Sequence, residues 1–156
     1  MNTTVTEPGR TSLHAQAARR RLEAHLCGAM TLAQAEGMGC EEARRIATLG
    51  CDLAARGRLQ DALVVFEGLV AGNPRDTSAQ AALGAVYQRL DRPRDARDCY
   101  DRALEACDRN VVALAGRGEL RLKSRDLGGL DDLSLAVEVD PRGLTAAGRR
   151  ARALVA

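Results

Sequence analysis

The side chains best suited to chemistry in this sequence are two histidines and five cysteines. His14 and His25 are eleven residues apart, which would separate them by about 16.5 Å along a helix, too far to share one metal ion. The cysteines are odd in number and form no CxxC pair, so neither a disulfide framework nor a structural zinc site is indicated. Cys51, Cys99 and Cys107 fall in predicted helices, where a free thiol packs as a small apolar side chain. We expect no metal and no cofactor.

Catalytic and nucleotide-binding motifs are absent from the sequence. It contains no serine-histidine-aspartate arrangement, no GxxxxGK phosphate loop, no HExxH pair and no GxGxxG following a strand. The basic run from Arg19 to Arg21 could contact an acidic partner or an anionic lipid, but Glu23 interrupts it and a solvated helix face is favoured. The sequence therefore gives no support to an enzyme.

Composition restricts both the fold class and the partner. Aromatic types make up 2% of the 156 residues, one residue is Ile, 28 are Ala and 21 are Leu, so strand-forming types are scarce and an all-α fold is predicted. A formal net charge of +2 without a concentrated basic field disfavours nucleic acid as a partner. No stretch approaches the roughly 18 apolar residues of a membrane span. We expect a cytoplasmic protein without membrane insertion.

An internal repeat with a period of 34 residues organises the chain. Its first copy consists of Leu49, Gly50, Leu53, Gly57, Leu59, Ala62, Phe66, Leu69 and Pro74. The second copy consists of Leu83, Gly84, Tyr87, Asp91, Pro93, Ala96, Tyr100, Ala103 and Asp108. A third copy, one residue shorter, consists of Gly118, Leu122, Leu127, Gly129, Leu133, Ala136 and Pro141.

Local signals place the helix boundaries. The predicted helices span residues 41–56, 59–72, 77–90, 93–107, 111–124 and 127–139. Thr77 and Gln80 have the spacing of a capping box, Asn110 can cap the fifth helix, and Pro93 suits the first turn of the fourth.

This pattern resembles the tetratricopeptide repeat, which has two antiparallel helices per 34 residues, small residues where the helices cross and a proline that closes each unit. The resemblance covers residues 43–141 and implies a helical-hairpin solenoid of three repeats within residues 41–156. Ahead of it we expect a disordered segment at residues 1–10 and a leader helix with a glycine hinge at residues 11–38. The apolar stripe of residues 11–36 predicts a weak homodimer.

The third copy departs from the repeat pattern. Arg117 stands where Leu is usual, and Gly128 and Gly129 stand where Ala is usual. Because a helical Gly costs about 1 kcal/mol relative to Ala, we expect the sixth helix to be kinked or frayed. Residues 142–155 are predicted to form a closing helix that covers the last repeat with the apolar side chains Leu144, Ala147, Ala151 and Leu154.

Function in such arrays usually lies on the concave face, which is formed by the first helix of each pair. The resemblance assigns to this peptide-binding groove Arg44, Ala47, Cys51, Ala54, Ser78, Ala81, Ala85, Gln88, Arg89, Val112, Ala115, Glu119 and Leu122. We expect these side chains to face solvent, with the charged ones towards the edges. Such a surface suits an extended peptide carrying Leu, Val or Pro and lacks the basic residues of the carboxylate-clamp type. Alternatively, the alanines reflect helix propensity alone.

A longer similarity involves Ala29, Arg45 and Ile46, residues 57–62 (GRLQDA), residues 66–69 (FEGL) and residues 83–85 (LGA). Together with the leader and the closing helix, these segments resemble the type III secretion chaperones of the translocator class, the SycD/LcrH type. This resemblance implies that the groove holds a short segment of a secreted pore-forming protein in the cytoplasm. The alternative is a generic scaffold or adaptor in a bacterial multi-protein assembly.

Overall fold

A computed structural model of the protein describes residues 39–156. The predictions of a disordered start, a leader helix and a dimer contact, and the residues His14, His25 and Arg19 to Arg21, lie outside the described residues. Within residues 39–156 the chain forms seven α-helices and no strand, which confirms the all-α prediction. The helices are α1 (Cys40–Ala55), α2 (Leu59–Gly72), α3 (Thr77–Arg89), α4 (Pro93–Ala106), α5 (Val111–Lys123), α6 (Gly129–Val139) and α7 (Ala146–Val155). None of them is long and apolar enough to cross a bilayer.

The first six helices pair into three hairpins, and α7 closes the array. α1 packs on α2, α3 on α4 and α5 on α6, while α7 packs on both α5 and α6. Contacts of α2 with α3 and of α4 with α5 join one hairpin to the next. The interior consists of two apolar clusters, one containing Phe66 and the other containing Tyr100, and the partly buried Tyr87 packs against both. The clusters therefore connect all three hairpins.

In the first two hairpins the helices cross where a glycine faces an aromatic ring. A Cβ atom on Gly50 would lie 2.8 Å from Cζ of Phe66, and one on Gly84 would lie 2.7 Å from Cε1 of Tyr100. Both distances are far inside van der Waals contact, so only glycine lets the ring approach this closely. The glycines and the rings keep the 34-residue spacing of the sequence repeat.

The third crossing has the same form, but two glycines belong to it. Leu133 takes the place of the ring, with its Cγ atom 2.8 Å from a Cβ on Gly118, and the carbonyl oxygen of Gly129 would lie 2.9 Å from that Cβ. The predicted kink is wrong, because α6 is continuous from Gly129 to Val139, although it begins at Gly129 rather than at residue 127. The backbone N–H of Gly128 donates to the Asp126 side chain at 2.9 Å and so turns the chain just before the helix.

Two of the three predictions about how the helices begin are confirmed. Asn110 caps α5 as predicted, because its side chain accepts a backbone N–H of the first turn at 3.1 Å. Pro93 is the first residue of α4, also as predicted. The prediction of a capping box between Thr77 and Gln80 is wrong. Asp76 is the N-cap of α3, and its carboxylate accepts two backbone N–H groups at 2.9 and 3.0 Å.

The closing helix α7 begins at Ala146, four residues later than predicted. A turn precedes it, with Gly143 at φ +63° and Thr145 as the N-cap. The Asp140 carboxylate stabilises this turn by accepting the backbone N–H groups of Thr145 and Leu144 at 2.9 and 2.8 Å. These hydrogen bonds hold the pKa of Asp140 below its usual range.

Arg117, which stands where the repeat pattern has Leu, is held by two carboxylates. Its guanidinium donates twice to Asp132, at 2.9 and 2.6 Å, and once to Asp101, at 2.9 Å. Arg121 adds a contact to Asp132 at 3.2 Å. The Asp132 side chain is only 8% exposed, and its hydrogen bonds raise the pKa of Arg117. This departure from the repeat pattern is therefore compensated by a carboxylate within the same hairpin.

The glycine crossing can be tested by making Gly50→Ala with and without the Phe66 ring. Phe66→Ala should lower the free energy of unfolding by about 3–5 kcal/mol, because the ring is 2% exposed and its loss leaves a cavity. Gly50→Ala should destabilise the protein while Phe66 is present, since the added methyl overlaps the ring. In the Phe66→Ala background the same change should cost less, because the ring is gone and of these close neighbours only Cγ1 of Val65, 3.0 Å from the added Cβ, remains. Urea unfolding of the wild type, both single variants and the double variant measures this, and an equal effect of Gly50→Ala in both backgrounds would contradict the crossing.

The ion pairs of Arg117 can be tested by removing one or both partners. Arg117→Leu should lower the free energy of unfolding by about 2 kcal/mol. This cost is smaller than that of breaking a fully buried ion pair, because Arg121 still contacts Asp132. The double variant Arg117→Leu/Asp132→Leu should lose less than the single variant, since no carboxylate is left buried without its partner. Thermal melts compare the three proteins, and a double variant less stable than Arg117→Leu would overturn this interpretation.

Candidate functional site

The first helices of the three hairpins form one continuous face, which we call the first-helix face. α1 contacts α3, α3 contacts α5, and α5 contacts α7. Among the described residues, α2, α4 and α6 make no comparable contacts with one another. Closer packing on the side of α1, α3 and α5 is the arrangement that curves an array towards that side. The first-helix face is therefore the candidate site.

An open cavity of about 390 Å³ lies between α1 and α3; we call it the N-terminal cavity. Arg44, Ala47 and Cys51 of α1 and Ser78 of α3 line it, so the structure brings together four of the predicted groove residues. Phe66 also lines this cavity, which places it beside the first core cluster.

A second open cavity, of about 560 Å³, lies between α5 and α7; we call it the C-terminal cavity. Its lining consists of Glu119, Leu122, Lys123, Arg150, Ala153 and Leu154. The sequence analysis does not predict that residues of α7 line the candidate site. It predicts only that this helix covers the last repeat. The signal for a second role was present in the helical spacing, because Arg150 and Leu154 are four residues apart and share one side of α7.

The apolar stripe predicted for α7 is correct for two of its four members. Ala147 and Ala151 are buried, while Leu144 and Leu154 are exposed. Leu144 lies in the turn before the helix, and Leu154 lines the C-terminal cavity. Part of the closing helix therefore packs in the core, and part of it extends the candidate site.

A chain of hydrogen bonds crosses the middle of the first-helix face. The Tyr100 hydroxyl donates to Oε1 of Gln88 at 2.8 Å, and Nε2 of Gln88 donates to Oε2 of Glu119 at 3.0 Å. Nε of Arg150 donates to Oε1 of Glu119 at 2.9 Å. The prediction that charged side chains lie towards the edges is wrong for Glu119, which is 17% exposed and bonded from both sides.

Tyr100 reaches this face through a slot between two helices. Its ring passes Gly84 of α3 and Gly116 of α5, and a Cβ on Gly116 would lie 2.6 Å from Cε2 of the ring. Burial of the side chain raises the pKa of Tyr100, so the hydroxyl stays protonated and remains a hydrogen-bond donor. A residue of the core therefore fixes the orientation of the Gln88 amide on the surface.

The remaining predicted groove residues divide by burial. Ala81 and Ala115 are 1% and 0% exposed and belong to the core cluster of Tyr100, so the prediction that they face solvent is wrong. Ala54 and Ala85 are half-buried, and Val112 is exposed. Arg89 donates to the Ala54 carbonyl at 2.7 Å and so satisfies one of the last carbonyls of α1.

The cysteines within residues 39–156 are free thiols of two kinds. Cys40, Cys51 and Cys107 are exposed, and Cys51 lines the N-terminal cavity. Cys99 is buried in the core, and this burial raises its pKa to about 11. Among the same residues no group of three His, Cys, Asp or Glu side chains is placed to hold a metal ion.

No protein-family model matches the chain, and no curated protein matches it. Solved structures, however, share its fold. A T3SS complex from Aeromonas hydrophila has a TM-score of 0.73 and 22% identity, covering 86% of this chain and 91% of that one. The type III secretion translocator chaperone SycD of Yersinia enterocolitica has a TM-score of 0.69 and 19% identity, and the match covers 80% of this chain and 96% of SycD. PcrH of Pseudomonas aeruginosa, in complex with the chaperone binding region of PopD, has a TM-score of 0.65 and 21% identity, and the match covers 76% of this chain and 92% of PcrH.

At these identities the likeness establishes the fold. The helical array of this chain is the fold of SycD and PcrH, which confirms the resemblance seen in the sequence at the level of structure. The match extends over nine-tenths or more of each of these chains.

The reactivity of the thiols tests the placement of the cysteines. With a pKa of about 11, roughly one Cys99 in a thousand is a thiolate at pH 8. Exposed Cys107 should therefore react with N-ethylmaleimide at least about 100-fold faster than Cys99. Cys51 should react at a measurable rate below that of Cys107, because partial burial and Asp52 raise its pKa. Peptide mass spectrometry over time gives each rate, and rapid labelling of Cys99 in the folded protein would contradict its burial.

Proposed function

We propose that this protein is a cytoplasmic chaperone of the translocator class of type III secretion, which holds an extended apolar segment of a secreted partner on its first-helix face. Such a protein acts by binding and performs no catalysis. The assignment to type III secretion is supported by the fold that this chain shares with SycD and PcrH.

The observation that carries the proposal is an open first-helix face with two cavities, in a fold that binds translocator segments elsewhere. SycD has been crystallised with a peptide of the translocator YopD, and PcrH with the chaperone binding regions of PopD and PopB. Both cavities of this chain are open and lie on the face that the resemblance assigns to the ligand.

The chemistry of the face favours an extended apolar ligand. The small side chains Ala47, Cys51 and Ala85 leave room for a backbone and for larger side chains of the ligand. Leu122 and Leu154 offer apolar surface in the C-terminal cavity. Burial of this surface contributes roughly 25 cal/mol per Å² of apolar area removed from water. An extended chain can place alternate side chains in two separated cavities along its length.

The proposal is tested by selecting 12-residue peptides from a random phage-displayed library on the purified full chain and measuring their affinity by fluorescence anisotropy. Apolar sequences should be selected. Ala47→Glu and Ala85→Arg should each weaken binding at least about 10-fold, because the new charge loses water without gaining a partner. Binding should persist at high salt, since apolar contacts are not screened.

A matched control and an internal reporter make this test specific. Val64→Glu introduces the same charge as Ala47→Glu but on exposed surface of the second helix α2, and it should leave binding unchanged. Bound peptide should also slow N-ethylmaleimide labelling of Cys51, in the N-terminal cavity, without slowing that of Cys107. If no peptide were selected, or if Val64→Glu weakened binding as much as Ala47→Glu, the proposed function of this face would be wrong.

A further inference from the structure

Gln88 and Glu119 form a fixed hydrogen-bonding pair where α3 meets α5. Glu119 lines the C-terminal cavity, at α5 and α7, and Gln88 is on α3, the helix that also lines the N-terminal cavity with α1. Tyr100 holds the Gln88 amide from one side, and Arg150 holds the Glu119 carboxylate from the other. Neither group can rotate without losing a hydrogen bond of 2.8 to 3.0 Å.

Both groups keep hydrogen-bonding capacity that no described residue uses. The Nε2 atom of Gln88 carries two N–H groups and donates one of them to Glu119. The Glu119 carboxylate has about four lone-pair positions and accepts one hydrogen bond at each oxygen. Because Nε2 and Oε2 are 3.0 Å apart, the spare donor and the spare acceptor are neighbours. Both side chains are partly exposed, so a ligand on the first-helix face can approach them.

The pair is also close to neutral in charge. Arg150 lies 2.9 Å from the Glu119 carboxylate and balances its charge. A basic ligand group would have to compete with that guanidinium, and an acidic group would be repelled by the carboxylate. A neutral ligand group that offers one donor beside one acceptor fits the pair best.

An extended peptide has such a group at every second residue. In an antiparallel strand the N–H and the C=O of one residue point to the same side, where a neighbouring residue bonds both of them. We propose that Gln88 and Glu119 bind the C=O and the N–H of a single residue of the extended segment and so set its register between the two cavities. This inference rests on the proposed function, and it identifies the residues that position the ligand backbone. Tyr100 is a positioning residue, because it acts through Gln88.

The register follows from the geometry. Apolar cavities accept any side chain of suitable size, so by themselves they would let the segment slide by two residues with little loss. A backbone contact at one point of the face removes this freedom, because only one residue at a time can satisfy both the amide and the carboxylate. Gln88 and Glu119 therefore determine which ligand side chains enter the N-terminal and the C-terminal cavity.

The test uses a 12-residue peptide without proline, selected on the wild-type protein, and eleven versions of it, each N-methylated at one backbone amide. N-methylation at a single position should weaken binding about 10-fold or more, because it removes the N–H that Glu119 accepts, and at most other positions the effect should stay within about 3-fold. In Glu119→Ala the penalty at that position should disappear. Lys123→Ala, a charge removal in the same cavity, should retain it.

The outcomes separate this inference from the proposed function. If the peptide binds and every N-methylated version binds alike, or if the sensitive position remains sensitive in Glu119→Ala, the backbone contact is wrong and peptide binding by the first-helix face stands. If no peptide is selected, both are overturned. The N-methyl scan is carried out on the wild-type protein, so its result holds even if Glu119→Ala fails to fold.

Discussion

The close approach of a large side chain to a glycine, repeated every 34 residues, is the contact on which the rest of this structure depends. Phe66 and Tyr100 press against Gly50 and Gly84 at distances that leave no room for a Cβ atom. Each contact brings the two helices of a hairpin close together and removes the ring from water. With two apolar clusters built around these rings, a chain containing only 2% aromatic residues can still form a continuous core.

The same constraint connects the core to the candidate site. Because both Gly84 and Gly116 lack a side chain, the Tyr100 ring can pass between α3 and α5 and bring its hydroxyl to Gln88. The hydrogen bonds then continue to Glu119 and to Arg150 of the closing helix. Four helices therefore contribute to one polar chain, so the arrangement of the first-helix face depends on the packing beneath it.

Most of the fold could be predicted from the sequence, because the signals that define it are local or periodic. The 34-residue period placed the ends of the first five helices to within one residue. The starts of α6 and α7 were harder. Each depends on a carboxylate, Asp126 or Asp140, that turns the chain before the helix begins, and nothing about an aspartate between two helical patterns distinguishes this role from that of a solvated charge.

The candidate site was predicted less completely, for reasons that lie in its geometry. Ala81 and Ala85 are the same residue type one helical turn apart, yet the first is buried in the core cluster of Tyr100 and the second is half-buried, a difference that depends on how the hairpins pack. Gln88 and Glu119 are 31 residues apart in sequence, so their contact leaves no local pattern. The helical array brought most of the predicted residues to one face, but it is the contacts between hairpins that decide which of them a ligand can reach.

These contacts also restrict what the face can select. Arg150 balances the charge of Glu119, and Glu41 lies 3.5 Å from Arg44, so two charges predicted for the groove already have oppositely charged partners within the protein. Long-range attraction can then contribute little to the choice of ligand, and salt should affect binding little. The remaining sources of selectivity are the shape of the two cavities and the separation between them. A ligand that reaches both cavities must extend across α1, α3, α5 and α7 and carry apolar side chains at the separation of the two cavities. An extended segment can meet both requirements along its length, and it is the ligand that we propose for this face.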